Sequence, residues 1–296
     1  MTHPPLVAHL LYRLDFGGLE TLLVECINRI PAQKYRHAII CLTDYTEFAK
    51  RIEAPDVQII ALNKPPGLGL GTHIQLLKHL RSLRPTILHT YNLAAIEYSL
   101  AAAMTGVPIR IHAEHGRDAG DPFGQNRKHN LLRRLLVPVI DCYVPVSCDL
   151  QHWLKEVVGI PDAKSKRINN GVNTETFTPK PGISRARLPQ TISRDDFVIG
   201  TVGRVQDVKN HLGLIDAFIE LRRRLPSHQS RLRLAIIGDG PLLPALKKKI
   251  TDAGIADVVW LAGARNDIAE IIPAFSVFVL SSIAEGTPVT LLEAMA

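Results

Sequence analysis

Aromatic residues are scarce in this 296-residue chain, at 5%, and they do not interleave with the basic ones. Single-stranded nucleic acid is held by stacking bases on such rings, so nucleic acid is set aside as a partner. Lys and Arg still outnumber Asp and Glu, 35 to 28, and the net charge of +7 favours some other anion, either a phosphorylated small molecule or a membrane surface. Cysteine is scarcer still. Cys26, Cys41, Cys142 and Cys148 form no C-x-x-C pair, which excludes a zinc ribbon and a disulfide scaffold and fits a reduced, cytoplasmic setting. No apolar run reaches the ~18–20 residues that span a bilayer. The opening Met1-Thr2-His3-Pro4-Pro5 has neither a basic segment nor a small-residue cleavage site, so no cleaved secretory leader is expected. G-x-G-x-x-G and Asp-x-Asp are both missing, which weighs against a nicotinamide dinucleotide and against a carboxylate-held Mg²⁺.

What is present is globular: 46% hydrophobic and 21% charged residues. Short apolar runs at 6–11, 37–42, 57–62, 86–89, 109–113 and 142–146 read as strands. Between them 19–29, 73–84, 94–105, 126–137 and 149–158 read as helices. Residues 174–196, with Pro179, Pro181, Gly182 and Pro189, read as a hinge. The pattern then restarts with strands at 197–202, 232–237, 258–261 and 277–280, and helices at 210–224, 241–253, 267–275 and 288–296. Alternating β and α elements predict parallel sheets covered on both faces. The expected fold is α/β, with two doubly wound Rossmann-like domains, 1–176 and 177–296, facing across a cleft. The last helix has no stop signal and the second block has four strands against six, so an incomplete second domain is expected.

Gly17-Gly18 between the first strand and its helix could admit an anion to the helix N-terminus, although a plain turn would read the same. Gly67, Gly69 and Gly71 follow Pro65-Pro66 and read as a flexible loop. Arg204 and Lys209 lie five apart on the turn after the strand at 197–202, where both could meet a diphosphate or simply be solvated. Glu285 and Glu293 lie eight apart, one before a helix and one inside it. Ionised carboxylates accept hydrogen bonds from vicinal hydroxyls, which a sugar or a ribose supplies. Glu293 stands in the apolar run Leu291-Leu292-Glu293-Ala294-Met295, where a merely solvated glutamate is a poor explanation.

Taken in order, Gly17-Gly18, His115-Gly116, Asn170-Gly171-Val172, Gly203-Arg204 with Lys209, Gly238-Asp239-Gly240-Pro241 and the Glu285/Glu293 pair with its Glu-Ala-Met-Ala ending resemble the retaining, nucleotide-sugar-dependent GT-B glycosyltransferases of family 4. Within that family the chain is most similar to sugar transferases of bacterial exopolysaccharide clusters. The resemblance implies a cytoplasmic hexosyltransferase, peripheral at the inner face of the membrane, that moves a sugar from a nucleotide-diphosphate donor to a glycan or lipid-linked acceptor. No metal or other cofactor is implied. By the same resemblance Gly17 and Gly18 lie at the donor diphosphate, and Arg204 and Lys209 neutralise it as it departs. Glu293 holds the ribose hydroxyls, and Glu285, with the backbone amides of Gly286, Thr287 and Pro288, faces the transferred sugar. Val289 packs near the nucleotide, His115 contacts the sugar near its C6 hydroxyl, and the segment at Arg265 meets the base through its backbone. A packed or metal-binding role for His112 in His112-x-x-His115 stays open.

The chain departs from the family pattern at Ser281-Ser282, where Pro-Ser is usual, and it ends before the further βα units that members carry. The resemblance therefore implies lower stability and activity than a longer version would have. Residues 127–136, basic and leucine-rich, could lie on anionic lipid or form a crossover helix with leucine inward and arginine outward. The alternatives to sugar transfer are a nucleotide-sugar epimerase of GT-B fold and a non-catalytic nucleotide-sugar-binding or membrane scaffold.

Overall fold

Strand β1, Leu6–Leu11, is buried along its whole length. Unbroken burial is the mark of a parallel strand covered on both faces, and alternate side chains serve the two sides. Leu10 joins Ile40, Leu76 and Leu80 in one core, while Leu11 joins Leu23, Ile27 and Ile39 in the other. The computed structural model describes residues 4–67, 69–118, 120–179 and 187–296, and the chain forms two units, Met1–Asn170 and Gly171–Ala296. Of the expected hinge, 180–186 lies outside the described residues, Pro181 and Gly182 included, as do residues 1–3.

In the first unit β1 is joined by β2 (Arg36–Cys41), β3 (Gln58–Ala61), β4 (Ile87–Tyr91), β5 (Ile109–Glu114) and β6 (Cys142–Pro145). The sheet order is β3-β2-β1-β4-β5-β6 and every pairing is parallel. Helices α1 (Gly18–Arg29), α2 (Leu70–Leu83), α3 (Asn92–Ile96), α4 (Ser99–Met104) and α5 (Arg127–Leu135) lie between these strands, and α6 (Cys148–Trp153) follows β6. The single helix expected at 94–105 is two, broken at Glu97-Tyr98, where the fully buried Tyr98 ring stacks on His73 at 4.3 Å. The helix expected at 149–158 continues beyond α6 as a wider π turn, Leu154–Val158.

In the second unit β7 (Phe197–Val202), β8 (Leu232–Ile237), β9 (Val259–Gly263) and β10 (Val277–Phe278) form a parallel sheet in the order β10-β7-β8-β9. Helices α7 (His211–Arg224), α8 (Leu243–Asp252), α9 (Ile268–Ile271) and α10 (Val289–Met295) complete it. Alternation again splits the core, with Leu234 and Ile236 under α7 and α8 and Ala235 and Ile237 on the side of Ile271. Both units are therefore Rossmann-like, with strand orders that reverse direction beside their first strands. Among the described residues the four cysteines are free, and no helix is long and apolar enough to cross a membrane.

Candidate active site

In parallel sheets the ligand end is the carboxyl end of the strands. In the second unit three strand ends are laced together there by backbone bonds. The Gly203 N–H donates to Ile237 at 2.9 Å, Val205 N–H to Asp239 at 2.9 Å and Gly238 N–H to Gly263 at 2.8 Å. The approach is so close that a Cβ on Gly238 would lie 2.0 Å from the Gly203 carbonyl oxygen, and Gly238 has φ +146°.

The turn beyond Gly203 carries Arg204 outward and then closes as one helical turn, Asp207–Lys209. Asn210, left-handed at φ +51°, ends that turn and caps α7 by accepting from Gly213 N–H. Asparagine tolerates that conformation and its side chain supplies the cap. Lys209 is thus fixed just ahead of a long helix. Its Nζ pairs with Oε1 of Glu285, 76 residues away in sequence, and both side chains are about one-fifth exposed (22% and 21%). Ser282 Oγ donates to the same carboxylate oxygen at 2.6 Å. Ser281 Oγ donates to the Lys209 carbonyl at 2.8 Å, and Ile283 N–H to the Val208 carbonyl at 2.8 Å.

Glu285 stands in the loop before α10, and Pro288 is the N-cap residue of that helix. Proline has no N–H, so Pro288 cannot be one of the amide donors expected there; Gly286 and Thr287 can. Val289 and Glu293 are one turn apart on α10 and so share a face, Val289 buried and Glu293 half-buried. Arg265, beyond β9, is bonded through Nε and Nη2 to the two oxygens of Asp267, at 2.8 and 2.6 Å. Those bonds, ahead of other influences, hold the Asp267 carboxyl below its ordinary range. The guanidinium is committed to Asp267, and the backbone is what this segment can offer a ligand. Beside the 203–210 turn is a shallow pocket of about 180 Å³ lined by Gln206, Asp207, Asn210, His211 and Ile283. His211 there is buried, and burial followed by the charge of Lys209 lowers it to about 4.

The remaining expected residues lie in the first unit. Gly17 precedes α1 in an extended conformation that any residue adopts (φ −172°), and as a glycine it supplies no side-chain cap to the helix. His115 follows β5 and donates its N–H to Asn92 Oδ1 at 2.8 Å. Burial lowers its pKa to about 4, against the pull of Glu114 and with the help of His112. A neutral ring results, with a buried Nδ1 that makes no hydrogen bond among the described residues.

His112 is a packed histidine. Its Nδ1 lies 2.8 Å from Thr90 Oγ1 and its Nε2 3.2 Å from Glu114. No group of three or more His, Cys, Asp or Glu among the described residues could hold a metal ion. Two features escaped sequence reasoning. Glu114 and Arg133 form a buried ion pair at 2.5 Å, with the Arg133 guanidinium over the Trp153 ring at 4.8 Å. A buried chain runs from His37 Nδ1 to His9 Nε2 (3.1 Å), from His9 Nδ1 to Tyr91 Oη (2.9 Å), and on to His89 Nδ1 (2.9 Å). Residues 127–136 do form a crossover helix between β5 and β6, with Leu132 and Leu136 turned to the core, and the first feature corrects the leucine-inward, arginine-outward pattern at three positions. Arg133 is buried because Glu114 needs a counter-charge there, whereas Leu131 and Leu135 are 53% and 66% exposed.

Comparison with known proteins agrees with this architecture. The family model for Glycosyltransferase Family 4 matches residues 16–176, and that for Glycosyl transferases group 1 matches 184–296. EpsF of Bacillus subtilis is 26% identical over 98% of this chain and 76% of its own length. The Escherichia coli UDP-Gal:alpha-D-GlcNAc-diphosphoundecaprenol alpha-1,3-galactosyltransferase is 29% identical over 97% of this chain and 76% of its own. Among solved structures, Anabaena HepE in complex with UDP-glucose superposes with a TM-score of 0.81 at 18% identity, over 98% of this chain and 78% of that one. WaaG, a glycosyltransferase involved in lipopolysaccharide biosynthesis, gives 0.77 at 14%, over 98% and 78%. Those two likenesses establish a shared GT-B fold. With the first family model covering more than half of the chain and a second glycosyltransferase model most of the rest, the chain belongs to Glycosyltransferase Family 4 and is an enzyme of the transferase type.

Proposed function

We propose that the chain transfers a sugar, with retention at the anomeric carbon, from a nucleoside-diphosphate sugar to a glycan or lipid-linked acceptor in polysaccharide assembly. One observation carries this reading: Lys209 and Glu285, far apart in sequence, meet at the carboxyl end of the second sheet. A lone cation there would suit any anion. A cation paired with a carboxylate suits a ligand whose phosphate and hydroxyls sit side by side, because each group can turn to one of them.

As the anomeric C–O bond breaks, negative charge grows on the departing diphosphate. Arg204 and Lys209 stabilise that charge more in the transition state than in the ground state. The acceptor oxygen forms its bond on the face the diphosphate leaves, and its proton passes to the departing phosphate. No protein nucleophile is assigned. Glu285 and the Gly286 and Thr287 amides face the sugar, and Glu293, on the Val289 face of α10, takes the ribose hydroxyls. In the first unit, Gly17, Gly18 and His115 are proposed as donor contacts on the family resemblance, His115 as a neutral hydrogen-bonding ring. The two cations are proposed to make a metal unnecessary.

The names of the relatives support a UDP-linked donor as the first to test and a diphosphate lipid as the first acceptor. Incubation with a panel of nucleotide sugars, with and without acceptor, is the test. Nucleoside diphosphate released only with acceptor present is expected. Interconversion of the sugar would instead make the enzyme an epimerase, and binding without turnover would make it a scaffold. For a lipid-linked acceptor, the exposed Leu131 and Leu135 beside Arg127 and Lys128 on α5 are proposed to rest on anionic headgroups.

A further inference from the structure

Where the family pattern carries Pro-Ser, this chain has Ser281-Ser282, and the two hydroxyls bond to opposite partners of one ion pair. Ser281 Oγ donates to the backbone carbonyl of Lys209 at 2.8 Å, which no proline could do, and Ser282 Oγ donates to Glu285 Oε1 at 2.6 Å. That Glu285 oxygen also receives the Lys209 ammonium. The intervening backbone is tied as well, Ile283 N–H to Val208 carbonyl at 2.8 Å.

Ligand binding disturbs this arrangement in one direction. A diphosphate that attracts Lys209 removes the counter-charge from Glu285, and a largely buried carboxylate left without a donor pays a desolvation penalty. Lys209 meanwhile must swing a flexible four-carbon stem from a backbone position that stays put. Resting on the donor reading above, we propose that Ser281 and Ser282 are positioning residues. Ser281 anchors the backbone from which Lys209 reaches the leaving diphosphate. Ser282 keeps the Glu285 carboxylate aimed at the sugar after Lys209 has turned away. The two serines therefore act on different parts of one donor, and their effects separate.

The experiment compares the full chain with Ser281→Ala, Ser281→Thr and Ser282→Ala. Calorimetry gives Kd for uridine, guanosine and adenosine diphosphates; initial rates give KM and kcat with the nucleotide sugar the wild type turns over; melting gives Tm. Ser281→Ala is expected to weaken the preferred diphosphate and to lower kcat/KM, each about fivefold, the size of one net hydrogen bond. Ser281→Thr, which keeps the hydroxyl, restores both. Ser282→Ala is expected to leave diphosphate Kd within twofold and lower kcat about fivefold to tenfold. Variants identical to wild type overturn the proposal. So does a common loss of Kd and kcat that follows a lowered Tm and is not restored by threonine. A wild type that binds none of the diphosphates sinks the donor reading itself, whereas binding without the Ser281/Ser282 split sinks this inference alone.

Discussion

Glu114 stays ionised inside the first unit because the pull of Arg133 and His112 outweighs burial, which alone would raise it; its pKa is about 2. The folded carboxyl holds its proton more weakly than the unfolded one, so its stabilisation is complete above about pH 4.3 and vanishes as pH falls through 2. The histidines respond earlier. Burial lowers His89 to about 3 and His115 to about 4, and shifts His9 and His37 the same way. Below about pH 6.5 the unfolded chain takes up protons that the folded one refuses, at ~1.4 kcal/mol per pH unit for each such histidine. Urea midpoints of the first unit should therefore fall steadily from pH 6.5 to 4; a flat profile down to pH 5 would refute the buried-neutral assignment. At the other site, Lys209→Ala should lower kcat/KM by ~10²–10³, the usual loss for one preorganised group facing developing charge. A loss under threefold in initial rates would remove Lys209 from the mechanism. The sequence exposed Lys209 and Glu285 through spacing and composition. It hid their pairing, and it hid Arg133, since a basic residue in a basic helix reads as solvated until the buried Glu114 on a neighbouring strand is known.

Among elements, the laced strand ends of β7, β8 and β9 set the tightest demand. A methyl on Gly238 would collide with the Gly203 carbonyl oxygen at a backbone angle that other residues rarely adopt. Gly238→Ala should cost about 2–4 kcal/mol, read from denaturant unfolding, and move the 203–210 turn with it. An unchanged midpoint would show that the strand ends give way freely. Helix α5 offers the second test. Leu131→Gln with Leu135→Gln should reduce sedimentation with phosphatidylglycerol vesicles several-fold while leaving Tm unchanged, since both side chains are largely exposed. Binding indifferent to anionic lipid would dismiss the surface. The strands were legible because a parallel strand covered on both faces is one apolar run. The breaks were not: Ala94–Thr105 has helix-forming residues throughout, and only the packing of Tyr98 against His73 marks where it divides.

For the molecule as a whole, a ligand that binds only the folded state raises stability by ~2.7 kcal/mol at a hundred times its Kd. The preferred nucleoside diphosphate should raise Tm by several degrees, and EDTA should not diminish the rise if cations alone hold the phosphates. Loss of the shift in EDTA would reinstate a metal. Proteolysis at the same ligand concentration should protect the second unit, which carries Lys209, Glu285 and Glu293. At this scale the alternation of strands and helices announced two parallel sheets, because crossover chirality leaves few other solutions.

The strand order of the first sheet has a consequence for biosynthesis. β1 takes β2 on one flank and β4 on the other, and β4 begins only at Ile87. At ~5–20 residues per second, the ribosome needs several seconds to pass from one neighbour to the other. During that interval a ribbon that is apolar except for His9 has a bare flank, open to any nascent chain alongside. A holdase that recognises Leu-rich extended peptide would be drawn to Leu6–Leu11 in that window, so yield in cells should depend on translation speed between residues 42 and 86.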